Sequence, residues 1–323
     1  MSTLREFDHA VAIVGGGPAG CSAGVFTARE GLDTAVFDRG RSSIQRCAFL
    51  ENYLGFPQGV DIETFYDLIH DHAETAGCTI IPDLVESVDR LDGDDGEGFT
   101  ITPQEGDPVT GRQVIAATRY DDEYLHGLDS DEAMIETVEH DDESQQRLDR
   151  DYADADGSTP VDGLYVATPA GKPDKQAILA AGRGARVGKR AIVDARIDAG
   201  WWKEAAEGVD WVRQKSELDD EWADRDTWVE WFDDHYADAA PVDPDSDRFK
   251  RVRAASIDDS LSSYITDDEI DDRATAGHER VAEQLDPEAI VDAVDSESLL
   301  EAIDDDAIRA YLDSDQGSPL EAQ

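Results

Sequence analysis

The feature that most constrains this chain lies in residues 10–38. An apolar run, Ala10-Val11-Ala12-Ile13-Val14, ends in Gly15-Gly16-Gly17, and Gly20 follows Pro18 and Ala19. Small and apolar residues continue to position 28, the helix is expected to run to Glu30 with Gly31 as its stop, and a second apolar run at 34–37 ends on Asp38. The order is strand, Gly-x-Gly-x-x-Gly, helix, strand, acid. It predicts a mononucleotide-binding unit: Gly15 permits the tight turn, Gly17 lets backbone N–H groups approach a pyrophosphate, and Gly20 lets the helix pack closely on the strand. Pro18 and Ala19 open that helix, whose first N–H groups and positive dipole end suit an anion. Asp38 stands 23 residues after Gly15, where a carboxylate holds a ribose diol and disfavours a 2′-phosphate. The fingerprint alone leaves FAD and NAD both open.

The pattern around this unit is that of an α/β domain. A helix is expected at 63–76, where Phe65, Leu68, Ile69 and His72 fall at helical spacing. Short strands are expected at 78–81, 84–88, 114–117 and 163–167, with a hairpin turn at 92–98. A helix with a small-residue face is expected at 174–190 and suits tight packing on a sheet. Between them, residues 121–160 carry fifteen acidic residues and two Arg, and read as an acidic linker or excursion with one marginal helix. After 199 the pattern turns helical. All six Trp fall between Trp201 and Trp231, and Trp228, Trp231, Phe232, His235 and Tyr236 form one stripe that reads as core packing. Three nine-residue units, 286–294, 295–303 and 304–312, each begin with Asp and end apolar, as short capped helices do.

Charge narrows the function. There are 76 acidic against 28 basic residues, a net charge of −48 spread along the chain. Only six of the basic residues are Lys. This reads as adaptation to a salty, halophilic cytoplasm, and no basic patch offers itself to nucleic acid. The N-terminal apolar run is too short for a leader or a membrane span, so a soluble cytoplasmic protein is expected. Cys21, Cys47 and Cys78 include no Cys-x-x-Cys pair, and neither a metal site nor a local dithiol is expected.

Three further segments resemble the thioredoxin reductase family. Residues 51–57, Glu-Asn-Tyr-Leu-Gly-Phe-Pro, resemble its Glu-Asn-Phe-Pro-Gly-Phe-Pro segment. Residues 111–118 resemble its second FAD motif, in which a strand ends Ala-Thr-Gly. Residues 161–188 resemble its last FAD motif, in which a strand leads to Gly-Asp and a Gln-containing helix start. The resemblance covers about half the chain, residues 8–120 and 161–196, and implies a Rossmann-type FAD-binding domain with a central parallel sheet in two sequence pieces, 1–120 and 161–198. A helical C-terminal region, 199–323, follows. By position, Gly15, Gly17, Pro18, Ala19 and Gly20 belong to the pyrophosphate turn and Asp38 to the adenosine ribose. Val85 offers backbone to the adenine, Ala117 and Thr118 line the nucleotide, and Asn52, Gln176 and Ala177 lie towards the flavin.

The chain departs from that family in four ways. The segment 119–160 is too short for the family's NADPH domain, and its only glycines are Gly127 and Gly157. The dithiol which that domain carries is missing. Arg119 stands for the Gly of the second motif, and Thr168-Pro169 for the Gly-Asp of the last. The expected function is therefore a FAD-dependent oxidoreductase that does not reduce thioredoxin, with no catalytic residue named. Its donor, external NAD(P)H or a redox protein, comes from outside the chain, and a homodimer is possible through the C-terminal helices. A non-catalytic binder of FAD or another adenine dinucleotide, signalling through those helices, stays open as a second class. An NAD enzyme of other chemistry is a third. Two structural expectations follow: strand 163–167 pairs in parallel with strand 11–14, and residues 124–156 are removable without loss of the fold.

Overall fold

The computed structural model describes residues 6–91, 97–119, 122–140, 143–149, 151–168, 175–209, 212–215 and 222–314. The expected turn at 92–98 lies mostly outside them. The chain divides into two units, Met1–Asp271 and Asp272–Gln323. The first is built on a seven-stranded sheet whose strands lie in the order 79–81, 34–37, 9–14, 109–116, 99–103 and 85–90, with 164–166 also on 109–116.

β1 (His9–Val14) sits centrally because both its faces are apolar. Val11 and Ile13 enter one core cluster, Ala12 and Val14 another. α1 (Pro18–Arg29) leads to β2 (Thr34–Phe37), parallel to β1 with Val14 opposite Phe37. α2 (Ile62–Ala76) starts at Asp61, whose carboxylate accepts the Thr64 N–H at 2.9 Å, and leads to β3 (Thr79–Ile81), parallel to β2. β4 (Val85–Arg90), β5 (Phe99–Pro103) and β6 (Val109–Ala116) form an antiparallel meander. β6 then runs parallel to β1, Val14 opposite Ala116. It begins five residues before the 114–117 candidate, because residues 109–111 pair with β5.

The acidic segment is a packed excursion and not a linker. A 3-10 turn (Glu123–Leu125), α3 (Asp131–Met134) and the hairpin of β7 (Ile135–His140) and β8 (Glu143–Leu148) occupy it. Tyr124, Leu125, Leu128, Met134, Leu148 and Tyr152 are buried in one cluster with Val85, Val88, Val114 and Leu164. They cover the sheet face opposite α1. Removing residues 124–156, the deletion expected to be tolerated, would uncover that face.

β9 (Leu164–Val166) is parallel, as expected, but its partner is β6: Val114 faces Leu164 and Ala116 faces Val166. Both edges of β1 are already taken by β2 and β6, which leaves the returning strand the far side of β6. α4 (Ala177–Asp198) follows and packs Val187 and Ala191 against Ile115 and Tyr165. Gly184 and Gly188 meet α1 and not the sheet: a Cβ on Gly184 would stand 2.0 Å from the Ala19 carbonyl oxygen. The two helices touch along bare backbone.

The helical region expected from 199 belongs in part to this first unit. α5 (Lys203–Ala206) brings Ala206 and Val209 against Ile192 and Val193 of α4, with Phe26 of α1 beside them. A two-residue strand β10 (Gln214–Lys215), α6 (Arg225–Tyr236), α7 (Asp247–Ser262) and β11 (Tyr264–Ile265) complete it. Trp202 stacks on Phe249 at 5.3 Å with Phe232 buried beside them, so the aromatic stripe is core at Trp228 and Phe232, half-buried at Trp231 and Tyr236, and exposed at His235. α8 (Asp267–Ala282) runs into the second unit. There α9 (Pro287–Ala293), α10 (Ser296–Ala302) and α11 (Asp305–Leu312) match the three nine-residue units, capped by Asp286, Asp295 and Asp304. No described residue of α8–α11 is buried. No described helix is long and apolar enough to cross a membrane.

Candidate functional site

A cleft opens where β1, β2 and β6 end and α1 and α4 begin, and encloses about 1250 Å³ of atom-free space including its mouth. It brings together Gly15, Gly17, Pro18, Ala19, Asp38, Val85, Ala117, Thr118, Gln176 and Ala177. Gly15 has φ +114°, and a Cβ there would lie 2.9 Å from the Ala117 carbonyl, so only glycine makes this turn. Gly20 does not line the cleft. It lies under the turn, where a Cβ would come 1.8 Å from the Gly15 oxygen, and its part is helix packing. Asn52 is not on the wall either, but its Nδ2 donates to Gln176 Oε1 at 2.7 Å and so holds the start of α4.

Helix ends distinguish this cleft. Every other described helix of seven residues or more starts with a side-chain cap: Asp61, Asp224, Ser246, Thr266, Asp286, Asp295 and Asp304 accept N–H groups of the first turn. α1 starts at Gly17 and α4 at Gln176 without such a bond and without an acidic residue in the first turn. Both uncapped ends face the same cleft. Their free N–H donors and positive dipole ends converge on one volume.

Asp38 is 7% exposed and held on three sides. Its Oδ1 accepts the Gly40 N–H at 3.0 Å, and its Oδ2 accepts Tyr66 Oη–H and faces His70 Nε2 at 3.1 Å. The same Nε2 is 2.9 Å from the Gly16 carbonyl, so one N–H serves two acceptors. Burial pushes the Asp38 carboxyl up, but hydrogen bonds from His70, Tyr66 and Gly40 outweigh it and hold the group below its ordinary value. Burial pushes His70 down, but Asp38 and the Gly16 carbonyl raise it overall. Burial and Asp38 push the Tyr66 hydroxyl up. A carboxylate offers about four lone-pair sites, and three are used, so one remains for a sugar hydroxyl. His70 and Tyr66 carry no motif of their own, and the fingerprint did not reveal them.

The walls hold a second group that sequence reading missed. Arg39, Arg41, Arg46, Arg119 and Lys175 line the cleft against two carboxylates, Asp38 and Asp83, a net +3 in a chain of −48. These cations are scattered in sequence and meet only in the fold. Thr118 Oγ1 lies 3.0 Å from Tyr124 Oη, and Thr168 Oγ1 donates to the Thr118 carbonyl at 2.7 Å. Pro169 lies outside the described residues. Cys47 is exposed at the cleft, whereas Cys21 and Cys78 are buried and all three thiols are free. Burial pushes the Cys78 thiol up to about 12, and burial with Asp38 and Cys78 nearby raises Cys21 further. Among the described residues no cluster of metal-ligating side chains occurs.

No protein-family model matches the chain. Its sequence relatives are thioredoxin reductases. That of Streptomyces coelicolor is 32% identical over 137 residues, 42% of this chain and 40% of its own length. That of Streptomyces clavuligerus is 34% identical over 121 residues, 36% of this chain and 35% of its own length. The chain thus spans about two fifths of the curated relatives it matches. Among solved structures, a thioredoxin reductase from Gloeobacter violaceus superposes with TM-score 0.45 at 18% identity, over 60% of this chain and 95% of the other. The atypical thioredoxin reductase of Desulfovibrio vulgaris Hildenborough gives 0.46 at 18% identity, over 60% and 100%.

Proposed function

We propose that this relative of the thioredoxin reductases binds FAD along the cleft and works as a flavin-dependent oxidoreductase whose electron donor comes from outside the chain. The observation that carries the reading is the pair of uncapped helix starts, α1 and α4, facing one cationic cleft in an otherwise acidic protein whose other longer helices are capped. A pyrophosphate on the Gly15–Gly17 turn supplies the anion that α1 lacks. Asp38 keeps one acceptor site for the adenosine ribose, with His70 and Tyr66 fixing its angle and its charge. The far end of the cleft, where Gln176 is held by Asn52, receives the flavin.

When bound, the flavin supplies hydride and electron chemistry that no side chain offers. The chain's residues bind and orient it. The thiols support a reaction other than thioredoxin reduction, because an attacking thiol must be a thiolate with a resolving partner near it. Cys21 and Cys78 are buried with raised pKa values, and Cys47 alone is open to the cleft. Pure protein is expected to give no NADPH-driven reduction of a disulfide dye. A steady rate would overturn that part.

The visible spectrum of the purified chain tests the main reading. A flavin band, restored on adding FAD to stripped protein, is expected, and its bleaching by NADH or NADPH marks the enzyme. A flavin band that no reductant bleaches selects the second reading, a non-catalytic dinucleotide binder. That reading draws on Arg119 and Thr168, which stand where the resemblance expects Gly and part of Gly-Asp. Absence of any flavin or adenine nucleotide affinity would defeat both.

A further inference from the structure

Two departures from the expected motifs, Thr168 and Arg119, flank Thr118, a residue of the cleft wall. Thr168 Oγ1 donates to the Thr118 carbonyl at 2.7 Å, with the Ala116 carbonyl at 3.3 Å, and so fixes the end of β6. That strand end passes directly over the glycine turn, since a Cβ on Gly15 would meet Ala117 and the Thr118 nitrogen within 3.0 Å. Arg119 is the next residue. Its Nη1 donates to Ser43 Oγ at 3.4 Å, 76 positions away in sequence. Ser42, beside Ser43, stands over Gly17, with its Oγ 2.6 Å from where a Cβ would lie. Arg119 and the 42–43 loop therefore roof the groove whose floor is the Gly15–Gly17 turn.

We propose that Arg119 grips the pyrophosphate of the bound dinucleotide from the side opposite the α1 N-terminus, and that Ser43 holds its guanidinium in that position. The proposal rests on the reading that the cleft takes a dinucleotide. A planar guanidinium can donate two parallel N–H bonds to phosphate oxygens, which a glycine at this place cannot. With it the groove becomes a site that selects by charge: it favours nucleotides with two phosphates over the nucleoside.

The test is calorimetric titration of the full chain with FAD, ADP, adenosine and inorganic pyrophosphate at fixed KCl. Arg119→Gly is expected to weaken ADP, FAD and pyrophosphate by about tenfold and to leave adenosine unchanged. Arg119→Lys is expected to recover part of the loss, and the gap to wild type to narrow as KCl rises. Ser43→Ala, which keeps the charge and removes its tether, is expected to weaken ADP by about threefold or less. If Arg119→Gly does not fold, Arg119→Gln carries the same comparison. Equal losses for ADP and adenosine, or none for ADP, would overturn the proposal. Wild-type protein that binds ADP and pyrophosphate but not FAD would defeat the flavin reading and leave the Arg119 assignment standing. Wild type that binds none of the four defeats both.

Discussion

In residues 286–312 a carboxylate closes every helix; at positions 17 and 176, in the first unit, no side chain does. The two regions also bury themselves differently. α1 and α4 enclose Ala23, Val187 and Ala191 completely, whereas α9, α10 and α11 bury nothing. The contrast separates two uses of a helix start. Where a helix must hold its own shape without a core, Asp at the N-cap stabilises it by satisfying N–H groups locally. Where packing already holds the helix, the cap is dispensable and the free donors are left to face the cleft. A missing cap is thus informative only beside a buried helix, and here two of them point at the same place.

The largest effect should come from the core side of that contrast. Met134 is fully buried on the sheet face that the acidic excursion covers, so Met134→Ala should cost about 2–5 kcal/mol in denaturant unfolding. Leu300→Ala in α10, 58% exposed, should stay within about 0.5 kcal/mol. Equal effects would erase the distinction between the regions. Next, Gly17→Asp gives α1 the cap that α9 already has. Gly17 sits at φ −80°, ψ −172°, which Asp adopts freely, and the Ser42 hydroxyl above it can turn aside. The fold should hold, while ADP affinity falls about a hundredfold because a fixed carboxylate now takes the donors. Unchanged ADP affinity would break the link between missing cap and ligand.

The third effect is a pH dependence from the buried pair beside that turn. Folding raises the His70 pKa above its ordinary 6.5, so its stabilisation is complete below that pH and is lost as pH climbs through the raised value. Folding lowers the Asp38 pKa below its ordinary 3.8, so its stabilisation is present above that pH and is lost as pH falls through the depressed value. Stability should form a plateau between these limits. His70→Gln should flatten the alkaline shoulder, worth about 1 kcal/mol, and shrink the acid one, since His70 is the first of the groups that hold the Asp38 carboxyl down. Thermal midpoints across the range read this directly, and a wild-type profile without an alkaline decline sinks it. The smallest effect is Asp295→Ala in α10. It should cost about 0.5 kcal/mol of local helix, read by amide exchange, with no change in the melting of the first unit.

Local order was legible in the residues, and tertiary partnership was not. The strand, glycine turn and helix of residues 9–30 and the three Asp-started units were readable because each is set by neighbours in sequence. Strand 164–166 was readable as a strand, yet its partner was not, since an apolar run carries no mark of which edge receives it. The excursion hid its core for a different reason. Tyr124, Leu125, Leu128 and Met134 are apolar residues in ones and twos at irregular spacing among acids, and no period marks them. The cations of the cleft were invisible for a third reason. Each is an ordinary charged residue until the fold places Arg39, Arg119 and Lys175 around one cleft.

The near-contact of Gly184 with the Ala19 carbonyl has a consequence for the order in which the molecule is made. α1 leaves the ribosome some 160 residues before the helix it must touch, and the loop between them has to close before that contact forms. Until then α1 has one bare side, β6 has an open edge where β9 will lie, and the cleft lacks the wall that carries Gln176. A nucleotide can recognise only the finished arrangement. Its binding would therefore act as a late check on folding, drawing completed chains away from the partly closed ones in proportion to how much of it the cell contains.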